Sequence, residues 1–210
     1  MGYRSLMRRS ELLKASPPMF QSPWLDRFTR VHPVVPVVIY LPAICVLFAL
    51  GAGRAGFWNS IGLAMGGYAV WTLTEYWLHR VVFHFEPEDG IGARLHWMIH
   101  GVHHDHPNDP LRLVMPPSAS VPLALGFAGV FWLVLGSQWF MPFLAGFLAG
   151  YLVYDMIHYH VHHHRPRTRV GRRLRELHMR HHFQDDERGF GVSAPYWDHV
   201  FGTPPEKRAR

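Results

Sequence analysis

Cysteine is almost absent from this chain of 210 residues: Cys45 is the only one, and it lies inside an apolar stretch. A single thiol forms no internal disulfide and no thiolate metal cage, so neither holds this fold or a site within it. Carboxylates are also scarce, 15 against 21 Lys and Arg, and two familiar carboxylate patterns are missing. Without His-Glu-x-x-His the sequence does not read as a zinc protease, and without Glu-x-x-His it lacks the carboxylate-rich di-iron bundle of ferritin-like proteins. The opening MGYRSLMRRSELLKASPP has no hydrophobic stretch followed by a small-residue cleavage site, and Leu6 stands where a myristoylation signal has Ser or Thr. Neither a cleaved signal peptide nor a myristoyl anchor is expected, and the length suits one domain rather than two.

Mean hydropathy is near zero, but it averages two kinds of segment. Apolar residues concentrate at 34–53, 57–74, 121–137 and 139–157. Each run is about the length that crosses a ~30 Å hydrocarbon core at 1.5 Å per residue. The first, VVPVVIYLPAICVLFALGAG, carries no charge, the second is Gly-rich and weaker, and the last two are rich in Leu, Phe and Gly. Core helices of a soluble all-α protein are the competing reading, yet four runs apolar on all sides exceed what a small globule can bury. The expected fold is an all-α integral membrane protein with four transmembrane helices.

The basic residues orient it. Only Arg54 lies between the first two runs and none lies between the last two; the remaining Lys and Arg fall before residue 34, at 79–120 and after 158. The positive-inside rule places these three parts, and both termini, on the cytoplasmic side. The expected division is an interfacial N-terminal segment, 1–33, and one domain, 34–210, whose His-rich cytosolic parts are 79–117 and 158–203. The formal net charge of +6 then reflects topology and anionic lipid, not nucleic acid. The basic stretch RPRTRVGRRLRE at 165–176 reads as a contact with anionic lipid or with an acidic electron donor.

Fifteen of the 17 histidines fall in two blocks, His79 to His106 and His158 to His182. Each block begins where a helix returns to the cytoplasmic face, so the two can meet. In HGVHH, His100, His103 and His104 stand at i, i+3 and i+4 and share a helical face; in HMRHH, His178, His181 and His182 repeat the pattern. His158 and His162 form an i, i+4 pair. His79 and His84 are i, i+5, about 140° apart on a continuous α-helix, so either the helix ends between them or they face different ions. Neutral imidazole is the commonest side-chain metal ligand, and eight to ten histidines suit two ions.

The motifs EYWLHRVVFHF at 75–85, HGVHHDHPNDPLRLVMPP at 100–117, YDMIHYHVHH at 154–163 and LHMRHHFQDDERGFGVSAPYWDHVFGT at 177–203 resemble the membrane fatty acid hydroxylase and sterol desaturase superfamily. The words RLVMPP and GFGVSAPYWDHVFGT are most similar to its fatty acid 2-hydroxylase branch. The resemblance covers about residues 70–203. It implies a helical cytosolic cap holding two metal ions, with His79, His84, His100, His103, His104, His158, His162, His178, His181 and His182 as ligands. His96 would stand behind them, while His106, His160, His163, His164, His32 and His199 fall outside the pattern. Asp155, Asp109 and Asp198 are candidates to orient imidazoles through the distal nitrogen. Arg112, with Pro116 and Pro117, would fix the chain where it re-enters the membrane, and Arg112 is a candidate lipid contact.

The same resemblance implies hydroxylation of the carbon next to an acyl carboxyl, on a fatty acid or the acyl chain of a sphingolipid. That C–H bond calls for O2 and a redox metal; iron suits imidazole ligands, while zinc fits them without redox chemistry and would be a substitute in a purified sample. Many relatives carry a haem domain ahead of the membrane part, which some thirty residues cannot form, so electrons would come from a separate cytochrome b5-like or ferredoxin-like protein. The membrane would be the endoplasmic reticulum of a eukaryote or the inner membrane of a bacterium. A sterol or carotenoid oxidase of the same superfamily is the sibling alternative. A metal transporter is the distant one, disfavoured because its ligands would lie near the bilayer midplane rather than at helix ends.

Overall fold

The computed structural model describes residues 8–206, and Leu6 with the rest of 1–7 and 207–210 lies outside it. The described residues form helices and loops, with no strand among them. In chain order the helices are α1 (Arg9–Leu12), α2 (Pro23–Arg27), α3 (Val34–Ala55), α4 (Phe57–Trp77), α5 (Gly90–His96), α6 (Val102–Asp105), α7 (Pro117–His163), α8 (Arg169–Phe183) and α9 (Tyr196–Val200). Two π-helical stretches interrupt the α-geometry, Leu78–Phe83 after α4 and Trp97–Gly101 between α5 and α6.

Apolar runs one and two lie in α3 and α4, and runs three and four both lie in α7. At Gly136 the backbone of α7 turns to φ 72°, ψ 174°, a left-handed conformation that glycine adopts at little cost. Phe127 meets Phe147 and Phe131 meets Phe143, with ring centroids 4.7 and 4.9 Å apart. These pairs are symmetric about the turn, so the two arms of α7 run antiparallel. Helices α3 and α7 are long and apolar enough to cross a membrane.

Helices α4 and α7 cross almost backbone to backbone. A Cβ added at Gly67 would come within 1.9 Å of the Phe143 carbonyl oxygen, and one at Gly146 within 1.8 Å of that of Ala64. Such small-residue crossings let apolar helices approach closely where no water is expelled. Beside the crossing, Trp71 packs edge-on against Phe147 and Tyr151, in a core with Tyr40, Leu144, Leu148, Tyr154 and Val192. Gly67→Val collides with main chain that has nowhere to move, so it is expected to cost more than the roughly 1–3 kcal/mol typical of overpacking; thermal unfolding in detergent measures the loss.

The N-terminal segment straps the cap to these helices. Asn108 N–H donates to the Leu13 carbonyl at 2.9 Å, Val31 N–H to that of Leu111 at 2.6 Å, and His106 Nδ1–H to that of Leu12 at 2.6 Å. Arg112 donates to the Pro17 carbonyl and pairs with Asp26 at 3.3 Å, and Arg30 closes on the same Asp26 carboxylate. Histidine outside the metal pattern thus has work of its own here, fastening residue 12 to residue 106.

Candidate metal centre

The ten histidines gather into two groups of five whose ring nitrogens all lie within 4.8 Å of one another: His79, His84, His100, His104, His181, and His103, His158, His162, His178, His182. No other His, Cys, Asp or Glu among the described residues joins either group. The groups adjoin, with His104 and His182 ring centroids 4.3 Å apart.

The spacing expected to separate His79 from His84 does not. Leu78–Phe83 is π-helical, and the amide of His84 donates to the His79 carbonyl at 3.1 Å. An i→i+5 bond closes one turn on residues five apart, which brings both imidazoles to one side; π-bulges are frequent at functional sites for this reason. The helix ends at Phe83, just before His84, as one of the two expected alternatives had it, and the two histidines enter the same group rather than different ones.

Nor does each His-x-x-His-His triplet keep to one site. His100 and His104 enter one group and His103 the other; His178 and His182 enter one and His181 the other. On an α-helix, i and i+4 diverge by about 40° while i+3 lies about 60° to the other side, so two adjacent sites divide the triplet as observed. The groups are related by exchange: each takes a pair from the end of a long helix, an i, i+4 pair from the next cap segment, and one histidine crossing from the other cap segment.

Burial and the neighbouring imidazoles keep these rings neutral. His79 and His181 are 1% and 0% exposed; burial, then His181 and His96, lowers His84 to about 3, and burial, then His181 and His163, lowers His158 to about 3. His79 Nδ1 contacts the Phe190 carbonyl oxygen at 2.7 Å and His181 Nδ1 that of Arg188 at 2.8 Å. A carbonyl only accepts, so Nδ1 carries the proton and Nε2 presents a bare lone pair. Those Nε2 atoms converge, His79 on His100 at 3.2 Å, His84 on His181 at 3.1 Å, His158 on His103 at 3.1 Å and His162 on His178 at 2.8 Å. Where neither nitrogen of such a pair carries a proton, the facing lone pairs favour a cation between them.

The remaining candidates are distributed differently. Asp155, expected behind an imidazole, instead accepts the Met115 amide at 3.4 Å and the Tyr151 hydroxyl at 3.3 Å, tying the RLVMPP loop to α7. Asp109 accepts the Leu111 amide at 3.0 Å. Asp198 reaches an imidazole at one remove: it accepts the amides of Phe190 and Gly191 at 2.9 and 3.0 Å, and so holds the loop whose carbonyls face His79 and His181. His96 lies outside both groups, 3.8 Å from Glu86. Arg112 is fastened to Pro17 and Asp26 and borders the cavity described next. Sequence reasoning missed Glu75, buried at the end of α4, whose carboxylate accepts the amide of Ser193 at 2.7 Å and its hydroxyl. A carboxylate just past an apolar run was the available signal. The two carbonyls had none, because every residue owns one.

A cavity of about 430 Å³ opens beside both groups. Its wall is mostly apolar, including Met19, Phe20, Leu78, Val82, Val114 and Leu123, and His100, His103 and His158 lie on it. Apolar walls with a few convergent polar groups are the usual form of a small-molecule site. None of α8 borders it, so the cavity meets the imidazoles from the side away from that helix.

Comparison with known proteins is consistent throughout. The fatty acid hydroxylase family model matches residues 64–203. Dihydroceramide fatty acyl 2-hydroxylase FAH2 of Arabidopsis thaliana is 33% identical over 99% of this chain and 88% of its own length. Ceramide very long chain fatty acid hydroxylase SCS7 of Saccharomyces cerevisiae is 36% identical over 90% of this chain, which spans 50% of that protein; the human fatty acid 2-hydroxylase is 41% identical over 70%, spanning 40%. A solved structure of full-length scs7p, in which only the hydroxylase domain is visible, superposes with a TM-score of 0.84 at 35% identity over 89% of this chain and 71% of that one. With its histidine pattern, its all-helical fold and these relatives in agreement, the chain belongs to the fatty acid hydroxylase family.

Proposed function

We propose that this chain is a membrane-bound, O2-dependent 2-hydroxylase acting on the acyl chain of a ceramide-type sphingolipid or its fatty acid. One observation carries the reading: an apolar cavity touches histidines of both five-imidazole groups. A hydrocarbon chain seated there lies against apolar wall along its length and reaches the imidazoles with one end. The names of the relatives supply the acyl C2 specificity.

In this reading the ten histidines would hold two ions, five imidazoles to each. Iron, when bound, supplies the oxidising chemistry with O2, for which zinc on the same imidazoles has no redox capacity. The chain's part is to hold and orient. The Phe190 and Arg188 carbonyls fix the tautomers of His79 and His181, the cavity wall presents the acyl carbon and keeps water from it, and Arg112, buried and held by Pro17 and Asp26, is the cationic side chain of the cavity lining and the candidate partner of a polar head group. The arms of α7 together with α3 and α4 make four membrane crossings, with the metal centre and both termini cytoplasmic. The host membrane is the endoplasmic reticulum of a eukaryote or the inner membrane of a bacterium. Residues 1–33 are the interfacial segment and 34–210 the hydroxylase domain. Electrons come from a separate cytochrome b5-like or ferredoxin-like protein.

Expression with such a donor in a host of simple lipid profile, followed by hydrolysis of the lipids and mass spectrometry, is expected to show new 2-hydroxy acids. Oxygen at another acyl position, or in a sterol or carotenoid only, would refute the assignment.

A further inference from the structure

The exchange relation between the two groups of imidazoles stops at their outer nitrogens. In one group, His79 and His181 each meet a main-chain carbonyl, of Phe190 and of Arg188, at 2.7 and 2.8 Å. In the other, the Nδ1 atoms of His162, His178 and His182 are buried and meet no protein acceptor. An acceptor on Nδ1–H fixes the ring, selects the tautomer and makes Nε2 a better donor to a metal; a ring without one gains none of these.

The loop that makes the difference is held from two sides. Asp198, 1% exposed, accepts the Phe190 and Gly191 amides and the Thr203 hydroxyl, the last at 3.0 Å. From α4, Glu75 accepts the amide and hydroxyl of Ser193. The backbone is closed again where Gly189 N–H donates to the Thr203 carbonyl at 2.9 Å. We infer that the two ions are bound unequally: the His79 group is the tight site, the His103 group is the exchangeable one, and Asp198 is the positioning residue that sets the difference through the 188–191 loop. This rests on the reading that both groups hold ions.

The purified full chain, stripped of metal in detergent, would be titrated with Co(II), with ligand-field absorbance and bound ions counted in parallel. The wild type is expected to take two ions in two steps. Asp198→Asn is expected to weaken the tighter step about ten- to a hundredfold, the usual cost of a lost outer partner, and to leave the weaker step in place. His178→Ala is expected to remove the weaker step alone, and Asp198→Asn added to it then weakens the only step left. Glu75→Gln loosens the same loop from the opposite side and should give the same selective loss; it decides the matter if Asp198→Asn loses helicity by circular dichroism. Indistinguishable steps in the wild type, or equal weakening of both steps in either variant, would overturn the inference. Absence of any Co(II) uptake by folded wild type would instead bring down the metal reading beneath it.

Discussion

His181→Ala is expected to abolish hydroxylation, a loss larger than the 10- to 100-fold that follows removal of an outer-shell partner. His181 is fully buried, its Nε2 stands 3.1 Å from that of His84, and its Nδ1 is held by the Arg188 carbonyl. Alanine deletes a nitrogen from the His79 group and frees a carbonyl of the loop that also holds His79. The measurement is 2-hydroxy acid per mole of protein, with metal content on the same sample. His160→Ala is the control. His160 lies two residues from ligand candidates on either side, is exposed, and belongs to neither group; its replacement should keep both activity and metal. Equal loss from the two variants would show that histidine content, not the convergent ten, matters.

Removal of metal is expected to destabilise the cap strongly, and more so in acid. An ion present at a thousand times its dissociation constant contributes about 4 kcal/mol, so two such ions hold much of a domain's stability. Without them the clustered imidazoles are held together by the fold alone, and each proton added in acid opposes it. The sign follows from the pKa directions. His84 and His158 are lowered from the ordinary 6.5 to about 3, so the unfolded chain binds protons that the folded chain refuses. Stability of the metal-free protein therefore holds above pH 6.5 and falls as pH drops from there toward 3, by up to about 1.4 kcal/mol per pH unit for each such imidazole. Thermal unfolding between pH 8 and 5, with and without chelator, tests both parts. A metal-free midpoint that does not move with pH would contradict them.

Much of the site was legible because imidazole spacing is a strong signal. The ten positions in HRVVFH, HGVHH, HYHVH and HMRHH are those whose rings converge. Their division between two groups was not, because each triplet was read as one face and the 79–84 pair as α-helical. A π-turn at 78–83 moved His84, and the 40° and 60° offsets within each triplet decided which histidine crosses over. The apolar runs located helices correctly, and the short charge-free link expected between runs three and four is where α7 folds back at Gly136. The outer partners were least legible. Carboxylates were expected behind the imidazoles, whereas the structure uses peptide carbonyls and reserves Asp198 and Glu75 for holding the peptide.

The hairpin at Gly136 also bears on the order in which the molecule assembles. Ring partners such as His84 and His181, or His103 and His158, are 97 and 55 residues apart, and the Glu75 to Ser193 bond spans 118. Contacts of such separation form late, because chain entropy is lost before they give anything back. The arms of α7 close locally, by contrast, and can pair as soon as both exist. Metal bound at these histidines would then join a scaffold that is nearly complete, as a keystone set last rather than a nucleus around which the chain collects.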